Sequence, residues 1–330
     1  MKRMVSGIKP TGGLTLGNYI GAIKNFIDFQ DEYELFVFIA DLHALTTKQD
    51  RLELRKRIKD ITALYIACGL DPEKTTIYIQ SEIAAHSQLS YLLECHTYMG
   101  ELNRMTQYKD KTGKNMTESI TSSLFTYPVL MAADIILYDA DFVPVGDDQK
   151  QHVELTRNIA QRFNQRHGDF FIVPEPVIPK QGARIMDLQN PLKKMSKSDD
   201  SDKGSILLLD DLNRIRNKIK SSMTDSDSEV RFDQENKPGI SNLMTIYSTL
   251  ASITYKEIQD KYIDKGYGVF KSDLAEIVVD AIRPIQERYN EIVKSKELDD
   301  ILDAGRDKAS KIAYKKIMKA NNKLGLGRKR

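Results

Sequence analysis

Over the first 80 residues, continuous apolar runs alternate with stretches in which apolar residues recur at helical spacing. The run over residues 34–40 is apolar throughout, which is typical of a parallel strand covered on both faces. Ile20, Ile23 and Ile27 instead follow the helical period, with Thr15 as a cap. The order strand, helix, strand, helix, strand predicts a doubly wound sheet. The predicted segments are residues 3–8, 16–29, 34–40, 50–68 and 75–80.

Residues 86–123 interrupt this rhythm with a helical pattern and a polar loop, which we interpret as an insertion. The alternation resumes with predicted helices at 128–138 and 149–166 and a strand at 141–145. Beyond residue 205 every predicted element is a helix. These helices are residues 209–223, 240–250, 255–261, 269–294, 297–302 and 306–324.

The predicted fold class is therefore α/β. A doubly wound parallel, Rossmann-like sheet with a helical insertion at about 86–123 occupies residues 1–205. An all-α C-terminal domain follows over residues 206–330. The length of 330 residues agrees with about two domains.

Composition narrows the class of protein. Cys68 and Cys95 are the only cysteines, and neither has a neighbour for a metal or redox pair, so reduced thiols and no metal site are expected. The N-terminus lacks a signal-peptide core, and no apolar run approaches the ~18 residues of a membrane span. We expect a soluble, cytoplasmic protein with no membrane partner.

Residues 193–200 form a short polar stretch that contains Lys193, Lys194 and Lys197. Cations beside small hydroxyl donors suit the neutralisation of a polyphosphate whose charge grows during a reaction. A solvated basic surface loop is the alternative interpretation. Near the other end of the chain, Gly12, Gly13 and Gly17 precede a predicted helix N-terminus, where backbone N–H groups favour an anion.

Asp134 is a carboxylate within an otherwise apolar helix, and such a group needs a donor. An internal salt bridge would supply one, and so would a ligand N–H. Asp147 and Asp148 follow the strand at 141–145 and fit either a helix cap or a ligand contact. His43 ends its strand in the same crevice, as a ligand contact or as an ordinary loop histidine.

The C-terminus is strongly basic: residues 306–330 hold ten lysines and arginines against one acid, Asp307. Four lysines at intervals of four residues predict one charged stripe on a helix, namely Lys311, Lys315, Lys319 and Lys323. The opposite, apolar face comprises Ile312, Ala313, Ile317 and Ala320. Such a stripe serves either solubility or the binding of a nucleic-acid phosphate backbone.

Two motifs together resemble the signatures of class I aminoacyl-tRNA synthetases. They are Thr-Leu-Gly-Asn at residues 15–18 and Lys-Met-Ser-Lys-Ser at residues 194–198. The stretch from Ser6 to Tyr19, Met-Ala-Ala-Asp-Ile at 131–135 and Lys-Pro-Gly-Ile-Ser-Asn-Leu at 237–243 are similar to the tryptophanyl branch of that family. Three positions depart from the commoner pattern: Val5, Lys9 and Leu42.

The resemblance implies an ATP site, a tryptophan site and catalytic lysines. The ATP site would comprise Lys9, Pro10, Thr11, Thr15, Gly17, Asn18, Gly146, Asp147, Asp148, Ile185, Lys194, Met195, Ser196, Lys197 and Ser198. The tryptophan site would comprise Val5, Gly7, His43, Met131, Asp134, Val143, Val145 and Gln149. Lys111, Lys194 and Lys197, with Mg²⁺, would act on the leaving pyrophosphate.

The implied reaction joins L-tryptophan to ATP as an adenylate and then transfers tryptophan to the 3′ end of tRNA(Trp). The helical domain would receive the anticodon stem, and a homodimer would form through the inserted segment. A non-enzymatic paralogue that binds RNA or senses tryptophan is the alternative from another class. A tyrosine-specific enzyme would need a phenol-binding Tyr/Asp pair, for which the sequence has no motif.

Overall fold

The computed structural model describes residues 1–112, 121–146, 149–178, 184–196 and 202–328, and for residues 110–112 the backbone alone. Within these ranges, five parallel strands form one sheet in the order β3-β2-β1-β4-β5. The predicted doubly wound parallel sheet is confirmed. The strands are β1 Arg3–Ile8, β2 Glu34–Ile39, β3 Thr75–Ile79, β4 Phe142–Pro144 and β5 Glu175–Val177.

Strand β1 lies at the centre of the sheet. It pairs along its whole length with β2 on one side, and Met4 pairs with Phe142 of β4 on the other. From β1 the chain winds first towards β3 and later towards β5, so the direction of winding reverses between β1 and β4. In open α/β sheets, ligands bind at the carboxyl ends of the strands at this reversal.

The edge strand β5 was not predicted. It has three residues and contains Pro176, and a proline within a run argues against a strand in sequence analysis. An edge strand tolerates proline because one side of its backbone has no neighbouring strand to receive a hydrogen bond. Only its place beside β4 makes this segment a strand.

Helices occupy both faces of the sheet and most of the C-terminal part of the chain. They are α1 Leu16–Asn18, α2 Lys24–Glu32, α3 Asp41–Ala44, α4 Arg51–Ala67, α5 Ala85–Glu94, α6 Met99–Asn103, α7 Thr106–Thr112, α8 Ser122–Ile136, α9 Lys150–His167, α10 Leu212–Lys220, α11 Pro238–Ala251, α12 Tyr255–Lys261, α13 Gly266–Lys294 and α14 Glu297–Lys323. A π-helical turn, Tyr19–Ile23, joins α1 to α2, and a 3₁₀ turn, Gln80–Glu82, follows β3. Across the described ranges, no helix is long and apolar enough to cross a membrane.

Helix α8 begins earlier than the apolar pattern indicates. The predicted helix begins at residue 128, but the observed helix begins at Ser122. Its first turn has two exposed serines, Ser122 and Ser123, and two half-buried apolar residues, Leu124 and Phe125. The predicted insertion contains α5, α6, α7 and the start of α8.

The C-terminal helices share a core with the sheet. Helix α13 packs on α4, and α14 packs on β3 and α5. One buried apolar cluster extends from Met4 and Leu35 through Ile246 to Val278. The division of the chain at residue 205 into two domains stays a prediction.

The predicted helices 297–302 and 306–324 form one continuous helix, so the predicted break between them is wrong. Gly305 lies between the two predicted helices and within α14. A β-carbon at this position would overlap the carbonyl oxygen of Ile77 in β3. The glycine therefore allows a close approach of helix to strand rather than ending the helix.

Gly305→Ala is expected to lower the free energy of unfolding by ~1–3 kcal/mol, because the methyl group must push α14 away from β3. Urea unfolding followed by circular dichroism measures the change. Gly268→Ala is the matched control, because Gly268 lies in α13 with open space around it. That substitution is expected to stabilise the protein by ~0.5–1 kcal/mol. Equal effects of the two would contradict the packing interpretation.

Candidate active site

A cavity of about 340 Å³ lies at the carboxyl ends of the strands, where the winding reverses. Its walls come from the ends of β1, β2 and β4, from α8 and from the residue preceding α9. Every residue of the predicted tryptophan set lines it: Val5, Gly7, His43, Met131, Asp134, Val143, Val145 and Gln149. Lys9 and Gly146 of the predicted ATP set also line it. Whether these residues bind those substrates stays a prediction, but the structure brings them together.

Asp134 is fully buried and has the internal partners that sequence analysis left open. Its Oδ2 lies 2.7 Å from Nε2 of His43. Its Oδ1 accepts a hydrogen bond from Nε2 of Gln80 at 2.7 Å and lies 2.7 Å from Nδ1 of His86. A carboxylate oxygen has two lone pairs, so Oδ1 is saturated whereas Oδ2 can accept one more donor. Because Asp134 lines the cavity, a ligand N–H can provide that donor.

The charge of Asp134 is set by two opposing effects. Complete burial raises the pKa of a carboxyl group, but the hydrogen bonds and charge interactions of His43 and His86 outweigh it. The net result is a pKa of Asp134 below its ordinary value. The group is therefore an ionised acceptor at neutral pH.

His86 connects Asp134 to a second layer of side chains. Its Nε2 lies 2.9 Å from the hydroxyl of Tyr138, on the side opposite Asp134. A neutral His86 that donates from Nδ1 to the Asp134 carboxylate accepts the tyrosine hydroxyl at Nε2. Sequence analysis missed Gln80, His86 and Tyr138. Only Gln80 had a usable signal, because it follows the carboxyl end of β3.

The apolar wall of the cavity includes aromatic rings that were also missed. Phe38 lies so close to Gly7 that a β-carbon there would be 2.6 Å from the ring. The glycine therefore allows the ring to line the cavity beside β1. Tyr127 lies across from His43, with ring centroids 6.4 Å apart, and donates a hydrogen bond to Gln107 at 3.0 Å. Burial raises the pKa of Tyr127 to about 12, so its hydroxyl stays protonated.

The first signature forms the N-terminus of α1, and Thr15 is the cap that the sequence predicted. Its hydroxyl oxygen accepts from the backbone N–H of Asn18 at 3.1 Å, and the Asn18 side-chain oxygen accepts from the N–H of Thr15 at 3.0 Å. This reciprocal capping box holds the turn that follows β1. A role of the two side chains in ATP binding stays a prediction.

The second signature pairs with an extended segment at residues 185–187. The N–H of Met195 donates to the carbonyl of Ile185 at 3.0 Å, and the N–H of Asp187 donates to the carbonyl of Lys193 at 2.8 Å. Ile185 and Met195 are buried, whereas Lys193 and Lys194 are exposed and Ser196 is half-buried.

The two signatures contact each other at Gly17. A β-carbon on Gly17 would lie 3.5 Å from the β-carbons of both Ile185 and Met195. The adjoining backbone is tied as well, since the N–H of Leu16 donates to the carbonyl of Ile206 at 2.8 Å. Because Pro10, Thr11 and the capped turn continue from the end of β1, the cavity and both signatures lie at one edge of the sheet.

Part of the predicted site lies outside the described residues. Asp147, Asp148, Lys197 and Ser198 belong to this part, and so does the side chain of Lys111. No group of three or more His, Cys, Asp or Glu residues in the described ranges has the arrangement of a metal site.

Comparisons with known proteins identify the family of the chain. The chain matches the family described as tRNA synthetases class I (W and Y) over residues 1–282. It is 57% identical to the tryptophan–tRNA ligase of Bacillus subtilis over 331 residues, covering 100% of both chains. It is 57% identical to that of Listeria monocytogenes, covering 100% of this chain and 99% of the relative.

Solved structures give the same result. The tryptophanyl-tRNA synthetase of Mycoplasma pneumoniae superimposes with a TM-score of 0.86 at 37% identity, over 99% of this chain and 98% of that one. The enzyme of Campylobacter jejuni, solved with ADP and tryptophan, has a TM-score of 0.86 at 37% identity, over 98% and 100%. The winding of the sheet reverses at a lined cavity, the two signatures are in contact, and the similarity extends over the full length. The chain therefore belongs to the class I tRNA synthetases of the tryptophan and tyrosine family.

Proposed function

We propose that this protein is a tryptophan–tRNA ligase that forms tryptophanyl-adenylate from L-tryptophan and ATP and then charges tRNA(Trp). The observation that carries the choice of amino acid is the ionised Asp134, which keeps one acceptor site free beside an apolar cavity. An indole offers one N–H on a flat apolar ring. Phenylalanine has no N–H, and it would leave a buried acceptor unpaired.

The proposed reaction uses no protein nucleophile. A carboxylate oxygen of tryptophan attacks the α-phosphorus of ATP, the bond from that phosphorus to the bridging oxygen breaks, and pyrophosphate leaves with the electron pair. A hydroxyl of the terminal ribose of tRNA then attacks the adenylate carbonyl and releases AMP. The protein positions the substrates and supplies positive charge for the leaving pyrophosphate. Lys9 lines the cavity, and Lys194 precedes Met195, whose β-carbon packs against Gly17 of the first signature.

The Mg²⁺ ion of the proposed reaction arrives bound to the substrate ATP. The carboxylate that lines the cavity among the described residues is Asp134, and its oxygens are engaged by His43, His86 and Gln80. This donor set does not fit a resident magnesium ion, which prefers several oxygen ligands in octahedral geometry. ATP brings the ion on its own phosphate oxygens.

ATP–pyrophosphate exchange with each of the twenty amino acids tests the proposal. Tryptophan alone is expected to support rapid exchange. Tyrosine-dependent exchange would show the other specificity of the family, and no exchange with any amino acid would favour the non-enzymatic paralogue. Binding of tryptophan can be followed directly, because the chain contains no tryptophan whose fluorescence would overlap that of the ligand.

We propose that the basic stripe of α14 binds the phosphate backbone of tRNA. Lys311, Lys315, Lys319 and Lys323 are all exposed along one side of the helix, as the sequence predicted. Lys316 differs from them, since it is buried and pairs with Asp139 and the carbonyl of Phe170. The local positive charge is therefore divided between a structural lysine and an exposed stripe.

Lys315→Gln with Lys319→Gln is expected to weaken tRNA binding and to reduce the slope of log affinity against log salt by about 2. Filter binding over a series of salt concentrations measures that slope. Lys294→Gln with Lys296→Gln is the matched control, because both lysines are exposed where α13 ends and α14 begins. An unchanged slope in the stripe variant would exclude the stripe as a tRNA contact, and pyrophosphate exchange should be unaffected in both variants.

We propose that the chain forms a homodimer through the inserted segment and acts in the cytoplasm, where tRNA is charged. Tyr91, Tyr98 and Met99 support the dimer, because these large side chains of the insertion are exposed by 68%, 53% and 66%. Sedimentation equilibrium tests it, and a monomer at micromolar concentration would contradict it.

A further inference from the structure

The side chain of Asn242 in α11 binds the backbone of one residue near the second signature. The N–H of Met186 donates to its Oδ1 at 2.8 Å, and its Nδ2 donates to the carbonyl of Met186 at 2.9 Å. In an extended segment, the N–H and C=O of one residue point to the same side. A carboxamide therefore binds this edge as a neighbouring strand would. Asn242 is 5% exposed, so water does not readily replace it.

The opposite edge of the same segment pairs with Lys194 of the second signature. Met186 and Lys194 face each other as an antiparallel bridge, and hydrogen bonds from Met195 to Ile185 and from Asp187 to Lys193 flank them. Residues 185–187 thus lie between Asn242 and the signature. A shift of Met186 moves the backbone of Lys194 with it.

Helix α11 provides a fixed support for this contact. Lys237 at its N-terminus is buried and donates to Asp227 at 2.7 Å and to the hydroxyl of Tyr267 at 3.1 Å. A β-carbon on Gly239 would overlap the carbonyl oxygen of Met223, so the helix start lies directly on that backbone. The N–H of Met223 in turn donates to the carbonyl of Leu188 at 2.7 Å. Helix and segment are therefore joined at two alternate residues, Met186 directly through Asn242 and Leu188 through Met223.

We propose that Asn242 is a positioning residue for adenylate formation: through Met186 it sets where Lys194 stands relative to the Gly17 turn. This inference rests on the proposed function for its kinetic consequence. Gly17 defines the position, because Ile185 and Met195 both pack against it at 3.5 Å from its ideal β-carbon. The effect of a cation on the charge that develops at phosphate depends steeply on distance. A displacement of ~1 Å can lower the rate by ~10²-fold.

Asn242→Asp is the sharpest test, because it keeps the shape and the acceptor but turns an oxygen towards the Met186 carbonyl. We expect the kcat of tryptophan-dependent pyrophosphate exchange to fall at least ~10-fold, while the Kd for tryptophan stays within a factor of ~2. Hydrogen exchange of the Met195 and Asp187 amides should become faster in the same variant, because these N–H groups donate the bonds that join the segment to the signature. Asn242→Ala tests the same contact if the aspartate variant does not fold.

Thr245→Val is the matched control, since Thr245 lies one turn further along α11 and its hydroxyl donates to the carbonyl of Ser241. It is expected to change thermal stability without changing kcat or the hydrogen exchange of the Met195 and Asp187 amides. A wild-type kcat and unchanged amide exchange in Asn242→Asp would overturn the inference. If the wild-type protein itself shows no exchange reaction with tryptophan, the proposed function fails, and the amide exchange alone then decides whether Asn242 positions Lys194.

Discussion

Lys194→Ala is expected to lower the kcat of tryptophan-dependent ATP–pyrophosphate exchange by roughly 10²–10³-fold, the loss that follows removal of one charge-stabilising donor. The side chain is exposed and stands on a backbone that pairs with residues 185–187, so its removal should leave the fold intact. Its positive charge matters most when negative charge builds up on the leaving pyrophosphate. The Kd for tryptophan should therefore stay nearly unchanged, and stopped-flow fluorescence of the ligand measures it.

Lys193→Ala is the matched control for this experiment. Lys193 lies in the bend before the bridge between Lys194 and Met186, and it stands outside the Lys-Met-Ser-Lys-Ser signature. Lys193 should be dispensable for the exchange reaction. A loss of less than ~5-fold in Lys194→Ala would show that this lysine does not act on the transition state. Lys197→Ala is expected to behave like Lys194→Ala, from the sequence motif alone.

Asp134→Asn is expected to raise the Kd for tryptophan by ~10²-fold or more, since the site would lose its ionised acceptor. The carboxamide of the variant also turns an NH₂ group towards hydrogen-bond donors. In one orientation the donor is His43, and in the other the donors are His86 and Gln80. We expect the free energy of unfolding to fall by ~1–3 kcal/mol. Equilibrium dialysis and urea unfolding measure the two effects, and the KM for ATP should change little.

Asp41→Asn controls for the loss of a buried carboxylate. Asp41 is 8% exposed and accepts hydrogen bonds from Leu42 and Ser81, but it does not line the cavity. The Asp41→Asn variant should be less stable than the wild-type protein but should bind tryptophan with unchanged affinity. If both aspartate variants bind tryptophan like the wild-type protein, Asp134 does not select the substrate.

The stability effect of Asp134→Asn should also depend on pH. The pKa of Asp134 is lower in the folded protein than in the unfolded chain, so its ionised form stabilises the fold. This contribution is complete above the ordinary carboxyl pKa and disappears as the pH falls through the folded value. The difference in unfolding free energy between wild type and variant should therefore be largest at neutral pH and shrink in acid.

Much of the site could be predicted because the ends of parallel strands meet at one edge of the sheet. Gly7, His43, Val143 and Val145 each lie at or just beyond a strand that the apolar pattern predicts, so their convergence follows from the fold class. The two signatures were recognisable as short motifs. Their contact through Gly17 needed the structure, because more than 160 residues separate them along the chain.

The sequence alone determined the parallel sheet, the helical C-terminal part, the exposed lysine stripe and the need of Asp134 for a donor. These follow from local periodicity and from the cost of burying a charge, which depend only on the residues nearby. Only the tertiary structure shows which groups pair with the buried polar side chains. His86 lies 48 residues from Asp134, and Asn242 lies 56 residues from Met186. Neither position has a local pattern that predicts its partner, because a buried polar side chain is satisfied by whichever groups the packing of distant elements places beside it.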